Sequence, residues 1–184
     1  LLPTAWKGKR YRRREAATNE QERAQAYLRE RAQEGKRVMS LIMEAGLPFS
    51  ATLGRARGED LAASQRCCMG LAPKSLRQRL ACWAPVRRYL VEVYGHPFPK
   101  DAEEFLDFLS HLRRGGAAKT ACKSAQLSLA FLEEAGEVAE ADRLATQTSV
   151  LNLVKEAKLA AEVALATRQE GESWRASTAD QAPQ

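Results

Sequence analysis

The segment from residue 74 to residue 94 places its apolar side chains at the spacing of an α-helix that buries one face. The residues on that side of a helical projection are Leu76, Leu80, Trp83, Leu90 and Tyr94. Nowhere in the chain do Val, Ile, Thr and aromatic residues alternate with polar ones over the length of a strand, so a β-sheet is not predicted. The sequence therefore predicts an all-α protein.

Glycine, proline and capping residues divide the rest of the chain into further helices. We expect a long first helix from about Thr18 to Ala45, a linker over 46–58 and a short helix from Glu59 to Met69. Four helices should follow, at about 74–94, 101–114, 118–135 and 149–167. These spacings predict four segments: a disordered basic arm (1–17), an N-terminal helical segment (18–70), a four-helix bundle (71–168) and a polar, disordered tail (169–184). The boundary between the helical segment and the bundle is expected at 70–73, the sequence Gly-Leu-Ala-Pro.

Several residues within these helices carry specific expectations. Pro85 should kink the helix that contains it, because proline lacks a backbone N–H. Asp101 with Glu104 has the spacing of a capping box at the start of the next helix. Trp83 and Phe105 lie on apolar stripes, so we expect them in the core.

Positive charge is concentrated at the N-terminus. Of the 29 basic residues, six lie among the first 14 positions, which contain no acid, whereas the other 23 are balanced by 23 acids. The six residues are Lys7, Lys9, Arg10, Arg12, Arg13 and Arg14. Such a block is typical of a nucleic-acid contact or of a nuclear localisation signal. A solvated tail without a partner is the third interpretation.

Composition also argues against several kinds of site. Four cysteines, Cys67, Cys68, Cys82 and Cys122, lack the Cys-x-x-Cys spacing and the neighbouring histidines of a zinc site, so no metal or other cofactor is predicted. We expect reduced thiols packed as small apolar groups in an intracellular protein, nuclear if eukaryotic. No apolar run approaches the ~18 residues of a membrane helix. The chain begins at Leu1 rather than Met, which suggests a piece of a longer product.

Three short motifs in order resemble a known family. The first helix opens Lys-Ser-Leu-Arg at 74–77 and continues into Arg-Arg-Tyr-Leu at 87–90. The second contains Phe-Leu-Asp-Phe-Leu at 105–109, and the third follows Lys119-Thr120 and ends Leu-Ser-Leu-Ala-Phe-Leu at 127–132. Over 74–158 this order resembles the core-binding domain of tyrosine recombinases and phage integrases. The resemblance implies a SAM-like, orthogonal four-helix bundle, here preceded by a long helix and the basic arm.

The resemblance further implies that the bundle grips duplex DNA together with a catalytic domain and with other recombinase protomers. That catalytic domain carries a His-x-x-Arg motif and, downstream of it, a tyrosine nucleophile. Here the His-x-x-Arg match is His111 to Arg114, and the 73 residues after His111 contain no tyrosine. We therefore expect a non-catalytic chain without a small-molecule substrate, in which His111 is a surface residue near a helix C-terminus.

Basic residues on two helices are the predicted DNA contacts within the bundle. They are Lys74, Arg77 and Arg88 on the first bundle helix and Lys119 and Lys123 on the third. Each group lies away from the apolar stripe of its helix, which suits phosphate contacts. Arg79 and Arg87 lie nearer the apolar stripe, so we expect them to extend along the surface or to pair with acids.

Three other interpretations remain open at this stage. In the first, the catalytic half of an intact recombinase is encoded outside this segment, which the neighbouring coding sequence would reveal. In the second, the apolar stripes bind a protein partner, giving association that salt does not weaken and no binding to DNA. In the third, the arginine-rich arm binds structured RNA and folds on it, which competition between duplex DNA and RNA would show.

Overall fold

The computed structural model describes residues 20–55, 61–116 and 120–179, with the side chains at 54, 55, 61, 164–166 and 168–179 outside that description. Within these residues the chain is helical and contains no strand, which confirms the predicted all-α class. The seven helices are α1 (Glu20–Ala45), α2 (Ser50–Arg55), α3 (Leu61–Cys67), α4 (Pro73–Tyr94), α5 (Ala102–Arg114), α6 (Ala121–Ala135) and α7 (Thr148–Ala179). Two short 3-10 turns, Glu140–Asp142 and Leu144–Thr146, connect α6 to α7. None of the helices in the described part of the chain has the length and apolarity needed to cross a membrane.

A central helix, α6, organises the fold. It packs most extensively against α4 and also contacts α1, α5, α7 and the Leu144–Thr146 turn. Its small buried residues Ala125 and Ser128 leave room for neighbouring helices to approach closely. The α6 side chains Leu129 and Leu132 are buried in the same apolar cluster as Trp83 of α4.

The N-terminal segment shares this core. α1 packs against α3, α4 and α6, and a single apolar cluster contains Ile42 of α1 as well as Trp83 and Leu129. Gly35 lies where α1 meets α3, and a Cβ atom there would come 2.9 Å from the Sγ of Cys68. The expected boundary at 70–73 is therefore not a break in the hydrophobic core.

One helix lies where the sequence predicted a linker. The region 46–58 is rich in Gly and Pro, but it contains the six-residue helix α2. Buried Phe49 and Leu53 anchor this segment, and the backbone N–H of Phe49 donates to the carbonyl of Gly136 at 2.9 Å. Tertiary contacts thus stabilise a helix that local composition does not favour.

The last helix is longer than predicted. α7 continues to Ala179, whereas the sequence predicted an end near residue 167 and a disordered tail over 169–184. The backbone over 169–179 is helical, and 180–184 lie outside the described residues. The segment 168–179 is polar but contains no proline and only one glycine, so nothing in its backbone chemistry stops a helix.

Candidate nucleic-acid interface

The outer face of α4 carries three exposed cations. The inner face buries Leu76, Trp83 and Leu90, while Lys74, Arg77 and Arg88 on the other side are exposed. Helical geometry places Lys74 and Arg88 about 21 Å apart along the axis. We define these three side chains as the α4 basic face.

Small residues separate the two ends of the α4 basic face. Ala81, Ala84 and Pro85 lie on the outer side of α4 and are exposed. α4 passes through Pro85 as a single helix, and the exposed position of this proline puts its missing N–H on the solvent side. The side chains in the middle of this face are therefore short, so a rigid surface can contact Lys74 and Arg88 at the same time.

The cations of the α4 basic face differ in their partners. Arg77 contacts Glu30 of α1, with 3.4 Å between Nη2 and Oε2. Lys74 and Arg88 form no ion pair with any residue that the structure describes. These two cations are thus available to an external anion.

A neighbouring arginine forms a structural contact instead. Both Nε and Nη2 of Arg87 donate to the carboxylate of Glu44 on α1, with 2.9 Å from Nε to Oε2. The hydrogen bond from Arg87 lowers the pKa of the Glu44 carboxyl, despite its partial burial. This confirms the expectation that Arg87 pairs with an acid, and it excludes Arg87 from the α4 basic face.

The predicted contact on α6, Lys123, hydrogen-bonds within its own helix rather than to α4. The Nζ of Lys123 donates to Oε1 of Gln126 at 2.8 Å, and the Gln126 amide donates to the carbonyl of Ala145 at 2.9 Å. Lys123 is exposed, but its described contacts lead toward the Leu144–Thr146 turn rather than toward α4. Lys119 lies outside the described residues.

The predicted contacts in the arm also lie outside the described residues. They are Lys7, Lys9, Arg10, Arg12, Arg13 and Arg14.

The C-terminal turn of α5 contains basic residues that were not among the predicted DNA contacts. His111 is exposed in the last turn of α5, as predicted, and its ring lies 5.1 Å from that of Tyr89 on α4. Arg114 is exposed, and Arg113 pairs with Glu156 of α7 at 3.5 Å. The sequence does indicate this cluster, because three basic residues fall in one predicted terminal turn and positive charge is favoured at helix C-termini.

An acidic cleft lies at the other end of α5. A cavity of about 480 Å³ is lined by Tyr94, Asp101, Glu103, Glu104, Leu106 and Asp107. Asp101 caps α5 by accepting from the backbone N–H of Glu104 at 3.0 Å, and the Glu104 carboxylate accepts from the backbone N–H of Lys100, a variant of the predicted capping box. The hydroxyl of Tyr94 donates to Asp107 at 2.6 Å, and this hydrogen bond raises the pKa of Tyr94 to about 12. The acids of this cleft repel phosphate, so an interface for a polyanion is confined to other surfaces.

The thiols are packed inside the protein. Cys67, Cys68 and Cys122 are buried, Cys82 is half-buried, and all four are unpaired. Burial raises the pKa of Cys67 to about 11 and shifts those of Cys68 and Cys122 in the same direction. Among the residues with described side chains, no group of three His, Cys, Asp or Glu residues is arranged to hold a metal ion.

No protein-family model matches the sequence, and no curated protein or solved structure is significantly similar to it.

Proposed function

We propose that this chain grips duplex DNA through phosphate contacts, as a core-binding domain of a tyrosine-recombinase-like protein. The observation that carries the proposal is the α4 basic face, where Lys74 and Arg88 are exposed without an ionic partner in the described structure. The basic arm at residues 7–14 supplies the remaining positive charge. The C-terminal turn of α5, where the His111 ring lies beside Tyr89 of α4, extends the proposed contact surface, and Lys119 and Lys123 remain proposed as a separate phosphate contact.

Phosphate contact suits this arrangement better than base reading does. The separation of about 21 Å between Lys74 and Arg88 corresponds to about six base-pair steps at 3.4 Å per step. Ala81 and Ala84, in the middle of the face, have methyl side chains that cannot donate a hydrogen bond to a base edge. The lysine and arginine at its ends can donate to phosphate oxygens. We therefore expect binding that depends strongly on salt and little on sequence.

The fold proposal accompanies the functional one. We propose that α4, α5, α6 and the first half of α7 are the four helices of an orthogonal, SAM-like bundle. Its support is the order and length of these helices and the central position of α6 between α4, α5 and α7. α1 packs against α4 and α6 of this bundle and contributes to the same core.

We propose no DNA cleavage for this chain. The His-x-x-Arg match begins at His111, in the last turn of α5, and the ring of His111 packs against that of Tyr89 on α4. No tyrosine follows it in the sequence, and covalent catalysis of this kind requires a nucleophile. In this proposal strand cleavage belongs to a separate catalytic domain.

Charge reversal on α4 tests the proposed DNA binding. The variant K74E/R88E should bind a short mixed-sequence duplex at least about tenfold more weakly at low salt, because a hydrogen bond to a charged group contributes about 1.5 kcal/mol or more. The matched control K100E/K155E changes the net charge equally at two exposed lysines on other elements. Equal binding by both variants in a fluorescence-anisotropy titration would contradict the α4 interface. Competition with a structured RNA in the same assay separates DNA binding from RNA binding.

One observation favours a second candidate, a helical protein-interaction module. Leu159 and Val163 are 60% and 65% exposed and lie one turn apart on α7. They are on the side opposite buried Val150 and Val154. In this alternative α7 binds a partner helix, and the variant L159A/V163A loses that association at any salt concentration while DNA binding by the parent is absent.

A further inference from the structure

Two ion pairs connect α1 to the parallel helix α4, and their geometries differ. Arg87 and Glu44 are joined by two hydrogen bonds, from Nε and from Nη2, one to each carboxylate oxygen. Arg77 and Glu30 are joined by one contact of 3.4 Å between Nη2 and Oε2. Bidentate arginine–carboxylate pairs are the stronger and more specific kind, so the Arg77–Glu30 pair is the weaker of the two.

The two arginines also face different directions. Arg87 lies nearer the apolar stripe of α4, whereas Arg77 belongs to the α4 basic face with Lys74 and Arg88. The two side chains are similarly exposed, at 41% and 45%. Among the contacts of the described residues, Arg77 is thus the member of this face that a protein carboxylate already holds. An anion that approaches the face meets Glu30 beside Arg77.

We propose that Glu30 is an intramolecular competitor for phosphate at Arg77, so that α1 masks one cation of the α4 basic face until nucleic acid displaces the carboxylate. This inference rests on the proposed DNA binding. Glu30 is 28% exposed and the Arg77 side chain is 45% exposed, so both groups reach solvent. Exposed pairs of this kind contribute at most about 1 kcal/mol, which makes the exchange of carboxylate for phosphate inexpensive.

The competition has a defined consequence for affinity. Each binding event must break the Arg77–Glu30 contact and bring phosphate close to the Glu30 carboxylate. Removing that carboxylate removes both costs while Arg77 remains in place. The gain should shrink as salt rises, because the Debye length falls to about 10 Å at 0.1 M.

The test is a double-mutant cycle with the full chain and a short mixed-sequence duplex. E30Q should bind about threefold to fivefold more tightly than the parent at low salt, as expected for the loss of an exposed competing pair. In the R77Q background the same E30Q change should give no gain, because the masked cation is gone. E44Q is the matched control: it removes one acid from the same helix and should leave affinity at the parent value.

Each outcome of the cycle has a separate meaning. A parent chain that does not bind the duplex overturns the proposed function itself. A parent that binds but gains nothing from E30Q overturns the competition alone. An equal gain from E30Q in the R77Q background, or from E44Q, attributes the effect to total charge and also overturns it. Circular dichroism and thermal melting of each variant verify that the fold persists.

Discussion

Trp83 lies midway along α4 and is 2% exposed, with its ring 5.5 Å from that of Phe98. Its position on the apolar stripe predicted this burial from sequence alone, as did that of Phe105, which is fully buried. Aromatic rings of this size contribute strongly to a core because they remove a large apolar area from water.

Trp83→Ala should lower the free energy of unfolding by about 3–5 kcal/mol, because it removes apolar contacts and leaves a cavity. Chemical denaturation followed by circular dichroism measures the change. Val93→Ala, at a position on the same helix that is 55% exposed, is the control and should have little effect. A W83A variant as stable as the parent would contradict the burial of this ring in the core.

The cysteines give a second prediction for individual residues. A buried thiol with a raised pKa is rarely ionised at neutral pH, and the thiolate is the reactive form. Cys82 should therefore react first with a thiol reagent under native conditions, while Cys67, Cys68 and Cys122 should react only after unfolding. Mass spectrometry of a labelling time course identifies the order. Early modification of Cys67 would contradict its burial.

At the scale of the elements, a buried glutamate joins α6 to the connection before α7. The Glu133 carboxylate is buried and accepts from the backbone N–H groups of Leu144 and Ala145 at 2.6 and 3.1 Å. Burial raises the pKa of Glu133 above its ordinary value of 4.5, although these two hydrogen bonds oppose the shift. The folded state therefore binds the Glu133 proton more tightly than the unfolded state does.

This raised pKa predicts how stability depends on pH. The contribution of Glu133 to the free energy of unfolding is largest below pH 4.5. It decreases as pH rises through the folded-state pKa of this carboxyl. The difference in free energy of unfolding between the parent and Glu133→Gln should accordingly fall as pH rises above 4.5. Denaturation curves at several pH values measure it, with Glu134→Gln at the exposed neighbouring position as the control. A difference that rises with pH would mean that the two hydrogen bonds outweigh burial.

The helices that the sequence predicted accurately are those in which the apolar stripe of the segment itself indicates where the helix lies. The predicted 74–94 and 101–114 helices lie within one residue of α4 and α5. α2 was missed because its stability comes from the distant contact between Phe49 and Gly136 and from the burial of Leu53. α7 extends beyond its predicted end because a polar composition without proline does not by itself stop a helix.

At the scale of the whole molecule, the packing of α1 against α4 could not be predicted. The pairs Arg77–Glu30 and Arg87–Glu44 join residues that are 47 and 43 positions apart, and a single sequence gives no indication of such contacts. The basic face of α4 was accessible to prediction, because a helical projection separates Lys74 and Arg88 from the apolar stripe. Its masking by an acid of α1 was not.

The salt dependence of duplex binding tests the central claim, that α4 contacts phosphates together with the arm. The logarithm of the binding constant should fall linearly with the logarithm of the salt concentration, with a slope of about −0.9 for each phosphate contact. For the charge-neutral variant K74Q/R88Q we expect a slope about 2 units shallower than that of the parent, and for the chain lacking residues 1–14 a loss of up to about 5 units. A K74Q/R88Q slope equal to that of the parent would contradict the account, because Lys74 and Arg88 would then make no phosphate contact.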